Sequence, residues 1–447
     1  MMHRFWIAAI CAALVFGLGG ASDDGARAQA EGETKKEPLK QFIGLLSYRT
    51  GPFAPGGAGF FGGMEDFMMF RNMQGGVNGV MYQWEECETA YDVARGVACY
   101  ERFKDRNAIV QALSTGITYA LIDRATRDQI VVLSTGYGRT DAADGTVFPY
   151  VFVAPSNYWS QSTVKISFIG SKVGGMDKLK GVKIANLYID VPYGQETRPI
   201  LDAMAKKYGF VVRHYPVKWP GTDQRTQWAD IVNDFKADWV INRNWGVSCT
   251  VPLKEAAVLG FPRDRIVGVW WCGSEEDVIP AGPAAKGYIA ANFHGTGRDY
   301  PLIAEIVDKV YGQGKGNVNP SRVGTVFYNR GIIAAIIVEE AIREAHKKFG
   351  VKVLSGSELQ EGFERLRITP ERLKEIGVAG LMQPISVTCK DHEGGGAARM
   401  QQWDGSKWIP ITDWIPPMKE VVWELIRESS GKYANEKGLT PRDCPDQ

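Results

Sequence analysis

The chain has 447 residues, of which 45% are hydrophobic and 23% charged. That is an ordinary globular balance, which excludes a disordered chain, a collagen-like chain and a polytopic membrane protein. Lys+Arg total 52 against Asp+Glu 51, a net charge of +1, so the basic footprint of a nucleic-acid binder is missing and no nucleic-acid partner is expected.

The chain opens with Met1-Met2-His3-Arg4 and an apolar run over 5–18, then a small, polar stretch ending in Ala28-Gln29-Ala30. The run is shorter than the ~20 residues that span a bilayer. With the A-x-A ending it reads as an export signal over 1–30, cleaved after Ala30, which places the mature protein in the periplasm. Setting aside Cys11 leaves six cysteines: Cys87, Cys99, Cys249, Cys272, Cys389 and Cys444. An even number in an oxidising compartment points to disulfides. Cys87 with Cys99, and Cys389 with Cys444, are the candidate pairs.

After a charged linker, strand and helix patterns alternate. Residues 42–46 read as a buried strand, followed by a Gly-rich loop and a helix over 64–73. Residues 109–113 are short and apolar, Ser114-Thr115-Gly116 opens a helix over 117–126, and 130–133 is a strand ending in Ser134-Thr135-Gly136-Tyr137-Gly138. A second cycle runs from a strand at 182–188 through the turn at Pro192-Tyr193-Gly194 and a helix over 197–208. Strands at 210–214, 239–242 and 266–271 follow, separated by helices over 228–236 and 253–259. Such alternation predicts parallel α/β sheets, and two runs predict two lobes. Helices are expected over 302–311 and 331–349, a hairpin around Asp404-Gly405, and a last helix over 418–432.

Catalytic motifs are weak. Gly57-Ala58-Gly59-Phe60-Phe61-Gly62 matches G-x-G-x-x-G, but it lies too far beyond its strand for a dinucleotide fingerprint. No phosphate loop and no nucleophile elbow occur. Asp391-His392-Glu393 reads as a solvated turn rather than a metal site. The acid pairs Glu86/Glu88 and Glu275/Glu276 read as ordinary surface carboxylates. No cofactor, metal or catalytic residue is expected, and the chain is not an enzyme by this reading.

The strand ends favour binding instead. In open α/β sheets, ligands sit beyond the carboxyl ends of the strands. Here those ends supply Ser114-Thr115-Gly116, whose helix N-terminus suits a carboxylate. They also supply Gly136-Tyr137-Gly138, Tyr193, Arg243-Asn244-Trp245 and Trp271-Cys272-Gly273. Several aromatics gathered at strand ends form a pocket wall.

Taken in order, Thr50-Gly51-Pro52, Gly75-Gly76-Val77-Asn78-Gly79, Glu86-Cys87, Ser114-Thr115-Gly116, Asp190-Val191-Pro192-Tyr193-Gly194 and Gly260-Phe261-Pro262 resemble the branched-chain-amino-acid class of periplasmic solute-binding proteins of ABC importers. The resemblance extends from about Phe42 through the 403–405 turn. It implies the type I fold, two doubly wound α/β lobes joined by three crossovers, which close by a hinge on a small-molecule ligand. Lobe one would comprise 41–157 and 288–385, and lobe two 158–287 and 386–447. An inner-membrane ABC permease is the implied partner of a monomeric receptor, and a sensor that signals to a membrane receptor is the alternative.

By the same resemblance Ser114, with Thr115 and Gly116, would meet the ligand carboxylate. Tyr137, Gly138 and Tyr193 would complete the site. Cys272 falls where amino-acid binders carry a glutamate for the ligand ammonium, and a thiol does not neutralise that charge. Two ligand classes stay open: a small apolar amino acid, or a carboxylate without an amine. The latter would rest against Phe53, Tyr137, Trp245 and Trp271, near Asn244, with Arg243 or Arg139 as counter-ion.

Overall fold

The apolar run at 42–46 becomes β1 (Lys40–Ser47), buried along all but its first residue, as a strand covered on both faces of a parallel sheet must be. This computed structural model describes residues 37–445 apart from Asn107. The export signal, Cys11 and the cleavage after Ala30 lie outside the described residues. β1 pairs with β2 (Met81–Glu88) and β3 (Ile109–Gln111); β4 (Val131–Leu133) and β5 (Val151–Phe152) extend the sheet. All pairings are parallel, in the order β2-β1-β3-β4-β5. The connecting helices are α1 (Ala54–Met73), α2 (Val93–Phe103) and α3 (Thr115–Asp128).

The chain then passes through α4 (Tyr158–Val173) into a second sheet. Its strands are β6 (Lys183–Ile189), β7 (Val211–Val217), β8 (Trp239–Arg243), β9 (Ile266–Gly268) and β10 (Ile289–Asn292), threaded with α5 (Pro192–Gln195), α6 (Arg198–Tyr208), α7 (Arg225–Ala229), α8 (Val247–Val258) and α9 (Glu275–Val278). Next come α10 (Pro301–Lys309), α11 (Val326–Phe349) and α12 (Gly356–Glu364), then a two-stranded ribbon of β11 (Arg367–Ile368) and β12 (Ile385–Ser386) flanking α13 (Pro370–Glu375). The expected hairpin is β13 (Arg399–Trp403) and β14 (Trp408–Pro410), an antiparallel edge on the second sheet. The sheet order is β14-β13-β10-β9-β8-β6-β7. Because β10 pairs with β9 and β13, residues 289–292 belong to the second sheet, and the chain's second passage between sheets lies after them rather than at 288.

The last helix, α14 (Lys419–Lys437), touches both bodies. Met418 N–H donates to Thr163 of α4 at 3.0 Å. Ser429 and Ser430 donate to Asp141 and Asp144, each at 2.6 Å, and Lys437 pairs with Asp123 at 2.6 Å.

Two further expectations change. The Gly-rich stretch is not a loop but the first half of α1, which starts at Ala54. A Cβ at Gly57 would overlap the Tyr48 carbonyl, and one at Gly63 would overlap the Tyr328 carbonyl of α11. The glycines trade helix propensity for backbone-to-backbone packing. The Asp391-His392-Glu393 turn is not solvated: His392 and Glu393 are fully buried. The His392 ring stacks on Phe152 at 4.0 Å, and its Nδ1 lies 2.7 Å from the Val151 carbonyl. Burial pushes Glu393 up to about 7. Among the described residues no group of His, Cys, Asp and Glu is placed to hold a metal.

The candidate disulfides Cys87–Cys99 and Cys389–Cys444 are both formed, and Cys249–Cys272 makes a third.

Candidate ligand site

The site lies where the strand ends of the two sheets face each other. Ser114 caps α3 with extended backbone, its Oγ accepting from Ile117 N–H at 3.4 Å. The first N–H groups of the helix lack partners within it, so the end presents donors and the positive end of the helix dipole. Leu113, just before the cap, has φ +43, and Ala90 and Tyr91 on the neighbouring turn have φ +48 and +64. Left-handed backbone at three non-glycine positions is costly and characteristic of a functional edge.

Two chambers meet at this helix end. The inner one, of about 10 Å³, is lined by Leu113, Thr115 and the rings of Tyr91, Tyr137, Tyr158, Tyr193, Trp245 and Trp271. No Asp or Glu is among its lining residues. The outer one, of about 410 Å³, is lined by Ser114, Gly116 and Trp219, by 90–93 and by 191–193, so Tyr91 and Tyr193 belong to both.

The hydroxyls are unequally free. Tyr137 Oη donates to the Leu133 carbonyl at 2.7 Å and accepts from Leu113 N–H at 2.8 Å and from Gln111 at 2.7 Å, so its role is to hold the strand-end turn. Tyr193 Oη donates to the Asn244 carbonyl at 2.8 Å. Thr115 accepts from Gly138 N–H at 3.3 Å and lies 3.4 Å from Tyr158 Oη. Burial raises Tyr158 while the nearby Arg243 charge lowers it, leaving it at about 12.

Positive charge stands behind the aromatic wall. Arg243 ends β8, fully buried, its guanidinium 3.7 Å from the Tyr158 ring centroid and 4.1 Å from that of Tyr193. Its Nη2 donates to the Tyr193 carbonyl at 2.8 Å, and its Nε and Nη1 make no hydrogen bond among the described residues. Lys165 of α4, also fully buried, is pushed well below the usual lysine range by burial and by Arg243. Arg330 of α11 lies 4.3 Å from the Trp271 ring and donates to the Trp270 carbonyl and to His294. Burial lowers it to about 9.

Of the residues expected at the site, Ser114, Thr115, Gly116, Tyr137, Tyr193, Trp245 and Trp271 line the chambers. Gly138 N–H donates to Thr115 and Arg243 packs behind Tyr158 and Tyr193, while Phe53 packs on Tyr91 and, across the cleft, on Trp219. Arg139 is not a counter-ion: it is spent on Asp141, at 2.5 and 2.8 Å, and stacks over Tyr433. Asn244 turns its amide to Asn242 at 2.9 Å, behind the wall. Cys272 is half of a disulfide with Cys249 and fully buried, so no thiol faces a ligand. Nor do its neighbours supply a carboxylate to the inner chamber. Glu275 accepts from Val326 N–H at 2.9 Å, and Glu276 pairs with Arg322 at 2.5 Å. Tyr91, Tyr158 and Trp219 were not anticipated.

Contacts across the cleft are numerous. The Trp270 and Trp271 indoles donate to the Gly136 carbonyl at 2.7 and 3.1 Å. The rings of Phe53 and Trp219 lie 4.4 Å apart. The carboxylate of Glu196, just after α5, accepts from Thr140 N–H and from Tyr119. A closed pair of lobes whose inner chamber is aromatic and free of acids, with a helix N-terminus at its edge, suits an anion with an apolar body.

Comparison with known proteins agrees with this fold. The profile of the periplasmic binding protein family matches residues 40–407. A solved structure described as an ABC transporter permease from the Pseudomonas fluorescens group is 43% identical, with TM-score 0.86, covering 91% of this chain and 100% of that one. A branched-chain amino acid ABC transporter protein from Thermus thermophilus with bound valine superimposes with TM-score 0.71 at 21% identity, covering 88% of this chain and 98% of that one. An R. palustris solute-binding protein in complex with benzoate gives 0.66 at 17% identity, covering 85% of this chain and 97% of that one. No curated protein matches by sequence.

Proposed function

Because the chain belongs to the periplasmic binding protein family, we propose that it is the exported substrate-binding protein of an ABC importer, a receptor and not an enzyme. It traps a small apolar carboxylate between its lobes and presents it to an inner-membrane permease. The lobes are the bodies built on the two sheets, with residues 289–292 on the second, and closure brings Tyr193, Trp219, Trp245 and Trp271 onto Ser114 and Thr115.

One observation carries the reading. The inner chamber has six aromatic rings, the N-terminus of α3 and no acid in its lining, while Arg243, its Nε and Nη1 without hydrogen bonds, stands behind Tyr158 and Tyr193. A ligand carboxylate gains from the helix end, from the Ser114 and Thr115 hydroxyls and from the buried guanidinium. A ligand ammonium would be desolvated there without a counter-charge. The relatives seen with valine and with benzoate bracket this choice. The amino-acid reading retains one support, Asp92 on the wall of the outer chamber, although its side chain already caps α2 through Arg95 N–H at 2.8 Å.

A thermal-shift screen of the mature chain tests the proposal with two panels, apolar amino acids and amine-free carboxylic acids. A ligand at ~100 times its Kd stabilises by about 2.7 kcal/mol. Stabilisation by the acids is the expected result. Stabilisation by amino acids alone overturns the amine-free reading.

A further inference from the structure

The two chambers differ in size by far more than a single small ligand requires. The inner one, about 10 Å³, holds little more than a water molecule. The outer one, about 410 Å³, falls within the ~300–1,000 Å³ of ordinary small-molecule sites. Their junction is the N-terminus of α3, with Thr115 facing inward and Ser114 and Gly116 facing outward. A carboxylate held at that junction therefore finds room for its body on the outer side rather than in the inner chamber.

The outer chamber is also built for an apolar occupant. Ala90, Val93, Val191 and Pro192 line it along with the Tyr91 and Tyr193 rings. Its cover is Trp219, on the loop after β7. At 40% exposure this is an uncommonly open tryptophan, yet its ring is held by two rings of the first body. It lies nearly parallel to Tyr91, at 13° and 5.9 Å between centroids, and 4.4 Å from Phe53.

We propose that the outer chamber is a second ligand subsite, covered by Trp219, which takes the apolar body of a carboxylate considerably larger than a branched-chain amino acid, such as a bicyclic aromatic or medium-chain acid. This rests on the reading of the cleft as a carboxylate site and specifies the size of its ligand. Trp219 is then a specificity residue: its contact is made only by ligands long enough to leave the helix end.

Calorimetry on the mature chain tests the proposal with named probes. Isovalerate and benzoate serve as short acids, 1-naphthoate and decanoate as long ones, and 1-naphthamide as the neutral control. The long acids are expected to bind at least tenfold more tightly than the short ones. Trp219→Ala, which also loses the ring contacts with Phe53 and Tyr91, is expected to weaken the long acids at least tenfold more than benzoate, and Trp219→Phe to restore most of that difference. Tighter binding of the short acids, or an equal loss for short and long acids in Trp219→Ala, overturns the second subsite but leaves the carboxylate reading standing. Failure of every acid to bind, or equal binding of 1-naphthamide and 1-naphthoate, overturns the carboxylate reading and the subsite with it.

Discussion

Glu196, from the second body, accepts a hydrogen bond from the backbone N–H of Thr140, on the first body, at 2.6 Å. The Tyr119 hydroxyl donates to the same carboxylate, and the Trp159 indole donates to the Glu196 carbonyl at 2.7 Å. Closure thus partly buries an acid, and its desolvation, opposed by the hydrogen bonds from Tyr119 and Thr140, pushes it up to about 7. The Asp141 carboxylate, paired with Arg139, pushes in the same direction.

This arrangement predicts pH-dependent closure. Opening returns Glu196 to water and to the ordinary carboxylate range, so the closed form binds more protons between that range and about 7. The stabilisation of closure is full at the lower end and is lost as the pH rises through about 7. Affinity is expected to be several-fold tighter at pH 5.5 than at pH 7.5 and level above that. Glu196→Gln flattens the profile. Calorimetric titration across this range checks it, and an unchanged slope in the variant counts against the assignment.

Arg243 gives a charge-specific prediction. Arg243→Met keeps bulk against Tyr158 and Tyr193 but removes the cation. Carboxylate affinity is expected to fall roughly tenfold, the low end of what an interaction with a charged group contributes, with the affinity of the matching amide much less affected. Calorimetry with an acid and its amide on both proteins provides the comparison. Equal losses for the two ligands would mean that Arg243 acts through packing alone.

Gly246 controls how tightly the cleft shuts. It has φ +56, and a Cβ there would overlap the Phe53 ring across the cleft. Gly246→Ala is expected to weaken ligand binding roughly tenfold through about 1–2 kcal/mol of strain in the closed form. Small-angle scattering should show a larger open fraction.

The Cys249–Cys272 bridge fastens α8 to the turn that carries Trp271. Replacing both cysteines with serine is expected to cost about 3 kcal/mol, read as a lower midpoint in urea. Ligand rank order should be retained, because neither sulfur faces the chambers.

Much of this was legible in the sequence, for physical reasons. Ser114-Thr115-Gly116 stands out because a small hydroxyl residue after an apolar run is both a strand end and a helix cap. Trp245 and Trp271 stand out because each follows a short apolar strand. The unanticipated residues left no such signal. Tyr158 opens α4, which is buried along nearly its whole length and so carries no amphipathic period to reveal it. Tyr91 is placed by left-handed backbone that nothing about tyrosine favours. Trp219 lies on a loop whose place over the cleft depends on tertiary packing. The Gly-rich start of α1 misleads because propensity argues against a helix that close packing on α11 makes worthwhile.

The C-terminal helix has a mechanical consequence. α14 is fastened to α4 at its start through Thr163, and to the first body further on through Asp141, Asp144 and Asp123. A brace pinned on both jaws acts as a fulcrum: it keeps one edge at fixed length while the rest swings. Opening is then a rotation about the braced edge rather than a parting of the whole cleft, and the gape is limited by the slack in those few polar pins. Any device that must spread the jaws to unload the cargo works against this stop. The force of unloading is thereby led to the helix and its pins before it reaches either sheet.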